Sequence, residues 1–324
     1  MGDQINVIYE METQDPDDLF ALCLLASHPQ VNLLGVTVVP GSVQQIGLIE
    51  HILRDRLDLP DVPVGGHKLN HPKDCISRWW TGFLGEHPAV LDAPQGADVI
   101  ARVVRSLKSQ KLPLTYISGA PIKNLGEFLE VFPEHEIDRW VAQGGFVGAN
   151  LVPEKYQLHK FVGQITCQTW NFNGDHQSTQ LALKSDKIKL RQLIGKNVCH
   201  GVYYNRSMHD LIKSVRNKPA GLQLMYDGMD RYLKKNPGGK KFHDPLAVCV
   251  AIQPDLAWFR EVEVYRGKGG WGCEPRKGSN TFAAITIDHQ WKLIVCCKSV
   301  DYVIPWSEKD LTNNFERGRM SLRP

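Results

Sequence analysis

Five carboxylates fall within nine residues near the start of the chain: Glu10, Glu12, Asp15, Asp17 and Asp18. They follow an apolar run, Ile5-Asn6-Val7-Ile8-Tyr9, and precede another, Leu19 to Leu25. That places them in a loop between a β-strand and a buried helix, at the carboxyl edge where open α/β sheets hold their ligands. Crowded carboxylates repel one another, so a cation or protons must intervene. Hard oxygen donors point to calcium or magnesium rather than zinc. A plainer reading covers the same residues. Asp15 caps a helix, Pro16 is its first residue, and Asp17 and Asp18 form an acidic first turn. The two are compatible, because a capped helix can still present Asp17 and Asp18 to an ion.

Other segments offer chemistry at the same edge. Tyr116 to Asn124 reads as a strand, a Gly/Pro turn and a helix start, with backbone carbonyls facing the acidic loop. Thr169 to Asp175 interleaves polar and aromatic residues; alternation puts Asn171 and Asn173 on one side, and a strand end with an Asn-Gly turn is the competing reading. Asp175 or Ser178 can cap the helix that follows. His243-Asp244-Pro245 opens an apolar helix, either as a site or as a simple helix start. Lys234, Lys235, Lys240 and Lys241 frame a glycine-containing loop just before it. The loop is either solvated or a receptor for phosphate through Lys240 and Lys241. Trp79, Trp80 and Phe83 suit either stacking on a base or packing.

The elements that position these groups alternate. Ile5–Tyr9 predicts a strand, with a helix from Pro16. Strands at 31–39, 62–64 and 114–117 alternate with helices at 43–53, 97–107 and 122–131, and Trp140-Val141-Ala142 leads to Gly144-Gly145. The rhythm predicts an α/β fold: an open mixed, mostly parallel sheet with helices on both faces. Later helices are expected at 178–184, 207–215, 220–234 and 245–252, with antiparallel strands at 262–266, 282–287 and 293–297. One domain over 1–324 is the simplest division. No Gly-x-Gly-x-x-Gly follows the first strand, which argues against a dinucleotide cofactor.

Composition narrows the partners. A net charge of +3 argues against nucleic acid or a membrane surface, and no apolar stretch is long enough to span a bilayer. No signal peptide is visible. Eight cysteines are scattered without zinc spacing, several in apolar runs, which fits a reducing, cytoplasmic compartment.

In their order and spacing, these segments resemble the inosine–uridine-preferring nucleoside hydrolase family. The counterparts are Asp17-Asp18, Gly119 to Asn124, Gly144-Gly145, Thr169 to Asp175 and His243-Asp244-Pro245. The resemblance implies calcium-dependent hydrolysis of the N-glycosidic bond of a ribonucleoside or related nucleotide, releasing base and sugar. It implies calcium ligation by Asp18, Asp244 and the Ser118 carbonyl. It also implies sugar contacts by Asp17 and Asn171, His243 near the leaving base, and Glu12, or else Glu10, as the water-activating base. The implied partner is a small nucleoside or nucleotide, and the chain is expected to form a homo-oligomer. Departures mark the sugar site. The family's first two aspartates are Glu10 and Glu12 here, with one extra residue before Asp17. Ser42 and Thr169 replace two sugar-contacting side chains. The alternative expectation is a non-catalytic nucleoside- or nucleotide-binding protein on the same scaffold.

Overall fold

The opening apolar run forms β1 (Ile5–Met11), buried from Asn6 onward. Its side chains serve two cores: Val7, Tyr9 and Met11 join one apolar cluster and Ile8 the other. A strand covered on both faces needs a continuous apolar run. The computed structural model describes residues 4–215, 217–287, 292–297 and 300–305, with the side chains of the last two segments outside the described set. Cys296 and Cys297 are among those side chains.

The strands after β1 are β2 (Val31–Val38), β3 (Val64–Gly66), β4 (Leu114–Ser118), β5 (Ile137–Gln143), β6 (Ile188–Ile194), β7 (Tyr203–Tyr204), β8 (Lys240–Lys241), β9 (Ala257–Gly267), β10 (Gly270–Pro275), β11 (Thr281–Ile287), β12 (Lys292–Cys297) and β13 (Val300–Pro305). The helices are α1 (Pro16–Ser27), α2 (Val43–His51), α3 (Arg78–Leu84), α4 (Gly96–Gln110), α5 (Lys123–Val131), α6 (Trp170–Gly174), α7 (His176–Lys184), α8 (Lys196–Cys199), α9 (Arg206–Ser214), α10 (Ala220–Lys235) and α11 (His243–Ile252).

Nine strands make one open sheet in the order β10-β9-β11-β6-β5-β4-β1-β2-β3. From β3 to β11 neighbouring strands run parallel; β9 and β10 continue antiparallel at one edge. Helices α1, α2, α10 and α11 bury their apolar residues on one face, and α4, α5 and α7 on the other. The chain runs from β1 outward to β2 and β3, then returns to β4 on the other side of β1. That reversal makes a switch point at the carboxyl ends of β1 and β4, the position where such sheets usually open a ligand crevice.

Two expectations need correction, and one open alternative is decided in favour of packing. Residues 170–174 form a helix, not an alternating strand end. At helical spacing Asn171 and Asn173 diverge, and Asn173 donates to the Gly269 carbonyl at 3.0 Å, away from Asn171. Trp79, Trp80 and Phe83 pack inward. Trp80 is fully buried and donates to the Asp15 carbonyl, while Trp79 lies edge-on to Phe20. Strand β6 has no counterpart in the expected elements. Its buried Arg191 donates to the carbonyls of Ala182 and Ser185, so a cation fits inside the sheet's flank.

Candidate active site

Asp18 lies in the first turn of α1 and Asp244 in the first turn of α11, both buried. Oxygens of Asp17, Asp18 and Asp244 lie within 4.8 Å of one another. Burial, then the charges of Asp244, Asp17 and Glu12, pushes the Asp18 carboxyl well above the usual carboxylate range. Burial, followed by Asp17, does the same to Asp244. Gly119, just past Ser118 at the end of β4, sits against this cluster. A Cβ there would come 2.8 Å from the Asp244 carboxyl carbon and from the Tyr9 hydroxyl. Only glycine permits that approach. The Tyr9 hydroxyl is buried with no hydrogen-bond partner among the described residues.

Asp17 has other duties. One oxygen accepts the His243 amide at 3.0 Å, at the start of α11, and the other pairs with Lys240 at 3.0 Å. A carboxylate at a helix N-terminus satisfies free amides and meets the positive end of the dipole. Asp15 adopts the cap backbone conformation, but its side chain caps nothing and pairs with Lys240 at 3.0 Å.

The two glutamates part company. Glu10 points to the α5 side and is fully buried. It accepts from the Asn124 amide (2.8 Å), the Asn124 side chain (2.9 Å) and the Tyr116 hydroxyl (2.9 Å). Glu10 is held by three donors away from solvent, so the geometry favours Glu12 over Glu10 as a base. Glu12 is half-buried, and one oxygen accepts from the Trp170 indole at 2.7 Å. Burial pushes its carboxyl up to about 7, with the Trp170 bond and Lys123 opposing. Trp170 itself is 71% exposed, a large apolar surface left open beside a carboxylate.

A polar chain runs from the turn after β4 to α11. The Asn171 side chain donates to the Gly119 carbonyl (3.0 Å) and to Gln143 (2.7 Å to its side chain). Gln143 donates to the Cys199 sulfur (3.3 Å), which lies 3.2 Å from His243 Nδ1. This leaves the other His243 ring nitrogen for a ligand. Thr169 is buried with its hydroxyl unpartnered among the described residues. Ser42, by contrast, is fully buried as the cap of α2. Its hydroxyl accepts from the Gln45 amide and donates to the Asp74 carbonyl, so it is not free for a sugar.

Residues 7–302 match the family model described as inosine-uridine preferring nucleoside hydrolase. The chain belongs to that family. It is 27% identical over 297 residues to an uncharacterised protein of Aquifex aeolicus (strain VF5), covering 88% of this chain and 94% of that one. It is 23% identical over 266 residues to the pyrimidine-specific ribonucleoside hydrolase RihA of Salmonella paratyphi A, covering 78% and 80%. Among solved structures, a purine-preferring ribonucleoside hydrolase from Gardnerella vaginalis matches with a TM-score of 0.63 and 21% identity, over 87% of this chain and 94% of that one. Family membership makes this chain an N-ribosyl hydrolase with a set of carboxylates able to hold a metal ion.

This nucleoside hydrolase departs from a purely acidic site. In the two-stranded antiparallel β7–β8 sheet Tyr204 pairs with Lys240 and Tyr203 with Lys241. Adjacent strand residues point to opposite sides. Lys240 therefore turns inward to Asp15 and Asp17, and burial is outweighed by those two carboxylates, which hold its ammonium above the ordinary value. An ammonium so engaged is not available to a phosphate, which corrects the expectation for Lys240. Lys241 turns outward over the Tyr203 ring, at 5.7 Å. Lys234 pairs with Asp230 on α10, at 2.7 Å. Sequence reasoning missed Trp170, Gln143, Cys199, His200 and Lys160. Only the Cys199-His200 pair carried a local signal, two metal- or proton-binding types side by side.

Proposed function

We propose that the chain hydrolyses the N-glycosidic bond of a ribonucleoside or nucleotide, with calcium held by the carboxylates of Asp18 and Asp244 and the Ser118 carbonyl. The observation that carries this is the convergence of buried Asp18 and Asp244 at the β1–β4 crevice, with Glu12 held beside them. The donors fit a hard divalent cation: all are oxygens, the acids repel one another without one, and the Tyr9 hydroxyl beside them has no partner among the described residues. Bound calcium would supply Lewis acidity to a water and to sugar hydroxyls.

Glu12 takes the water's proton. A carboxylate poised near 7 serves at neutral pH, and the Trp170 indole fixes its orientation. Asn171 holds the Gly119 turn against Asp244 and secures Gln143. His243, steadied by Cys199, lies on the leaving-base side. Exposed Trp170 offers a face for the base. The described cysteines are all free, which supports a cytoplasmic setting, and no helix among the described residues is long and apolar enough to cross a membrane. We expect a homo-oligomer.

One observation favours a second reading, a non-catalytic nucleoside or nucleotide binder. Both oxygens of Asp17 are already engaged, by Lys240 and by the start of α11, where the sugar contact is expected. A base-release assay over purine and pyrimidine nucleosides and their monophosphates, with calcium and with a chelator, separates the two. Calcium-dependent release supports hydrolysis. Binding without release from any compound supports the second reading.

A further inference from the structure

On the far side of His243 from the carboxylates, charge changes sign. The His200 ring stands 4.6 Å from the His243 ring, centre to centre, and the Lys160 ammonium contacts His200 Nδ1. Lys241 reaches the same place from β8, and Lys196, at the start of α8, donates to the Gln168 carbonyl at 2.7 Å. The chain brings these side chains together from three separate stretches, around residues 160, 196–200 and 241–243. Among the described residues, lysine ion pairs with carboxylates involve Lys189, Lys234 and Lys240, and none of the three lysines here. Ammonium groups held together without a carboxylate have a strong unmet preference for an anion.

Cys199, His200 and His243 also lie close enough, within 4.8 Å, to suggest a second metal. The lysines argue against it. Three positive charges around the cluster oppose a divalent cation and favour a di-anion. Burial, then His243 and the lysines, pushes His200 down to about 2, so its imidazole is neutral and can donate a hydrogen bond without adding charge.

We infer that Lys160, Lys196, Lys241 and His200 form a phosphate subsite, and that the substrate is a ribosyl compound carrying a phosphomonoester, a nucleoside monophosphate rather than a bare nucleoside. The cleft is then polarised. Sugar hydroxyls meet the carboxylate end, the phosphoryl group meets the lysine end, and His243 lies between them. This inference rests on the hydrolase reading for its chemistry but not for its binding.

The test therefore has two readouts. Calorimetry compares ribose 5-phosphate, ribose and inorganic phosphate on the intact protein. Base release compares nucleosides with their monophosphates. We expect ribose 5-phosphate to bind more tightly than ribose, with a gap that narrows as salt rises. Lys160→Gln and Lys241→Gln should each weaken ribose 5-phosphate and monophosphates about ten- to hundredfold, with nucleoside turnover unchanged. Both side chains are partly or fully exposed, so the variants should fold, and an unchanged melting temperature verifies it.

Equal binding of ribose and ribose 5-phosphate, or equal loss for nucleoside and monophosphate in the variants, overturns the inference. So does inorganic phosphate that binds well and speeds nucleoside cleavage, because phosphate would then be a separate reactant. Tight, lysine-dependent binding of ribose 5-phosphate without base release from any compound leaves the subsite standing and removes the hydrolase reading. Base release without phosphate preference does the reverse.

Discussion

The cleft has two regions of like charge, and they are built differently. At the carboxylate end, Asp15, Asp17, Asp18 and Asp244 lie at the sheet edge with an ammonium, Lys240, already among them. At the lysine end, Lys160, Lys196 and Lys241 stand at or near the surface without a carboxylate partner among the described residues. The difference follows from burial. A buried like-charge cluster must be compensated within the fold, by a counter-ion, a helix terminus or a proton, or the fold does not form. A cluster in contact with solvent is tolerated as it stands and can keep its charge for a ligand. The first end is suited to bond cleavage, the second to recognition.

If bond cleavage belongs to the carboxylate end, Glu12→Gln should cut turnover in base release about 10²–10⁴-fold with little change in substrate affinity. Unchanged turnover would move the base elsewhere. The internal compensation can be broken at Lys240. Lys240→Met leaves the Asp17 carboxylate buried without its ammonium partner, which should lower stability to urea by about 3–5 kcal/mol. Added calcium should restore part of that loss. An unchanged urea midpoint would mean that the ion pair contributes nothing net.

A gentler probe adds calcium to the intact protein. At about one hundred times its dissociation constant, one bound ion should raise stability by about 2.7 kcal/mol, and a chelator should reverse it. Asp244→Asn should abolish the shift. A shift that survives this change would place the ion at another site. The smallest effect concerns Glu10, which burial pushes up to about 8 despite donors from Asn124 and Tyr116. Between its ordinary value and about 8, the folded state holds a proton that the unfolded state has released. Stability should therefore fall as pH rises through that window, by up to about 1.4 kcal/mol per pH unit. Glu10→Gln should flatten the profile, read as urea midpoints from pH 5 to 8.5, and leave turnover largely intact. A steep loss of turnover in this variant would reopen Glu10 as the base.

Much of the site is legible in the chain. The acidic loop, the Ser118-Gly119 turn and His243-Asp244 each follow an apolar run or open one, and runs of that kind end at sheet edges. Less legible is which acid does what. Glu10 and Glu12 are alike in type and two positions apart. Only Asn124, 114 residues on, and Trp170, 158 residues on, distinguish them. Lys240 and Lys241 are equally alike until pairing of the two-residue strand β8 with β7 turns one inward and the other outward. Trp79 and Trp80 look as available to a base as Trp170 does. Packing buries Trp80 beside Asp15 and half-buries Trp79 against Phe20, and a short helix exposes Trp170.

The sequence by itself determined the alternation of strand and helix, the mostly parallel sheet and the order in which acids, turns and histidine reach its edge. These depend on periodicity and local turn chemistry, which neighbouring residues set. Which charges are compensated within the fold, and which stay open, came only from the tertiary structure. Lys240 meets Asp15 across 225 residues of chain, and Lys160 meets His200 across 40. Charge compensation depends on distance through space and on burial, and neither is written in the spacing of residues along the chain.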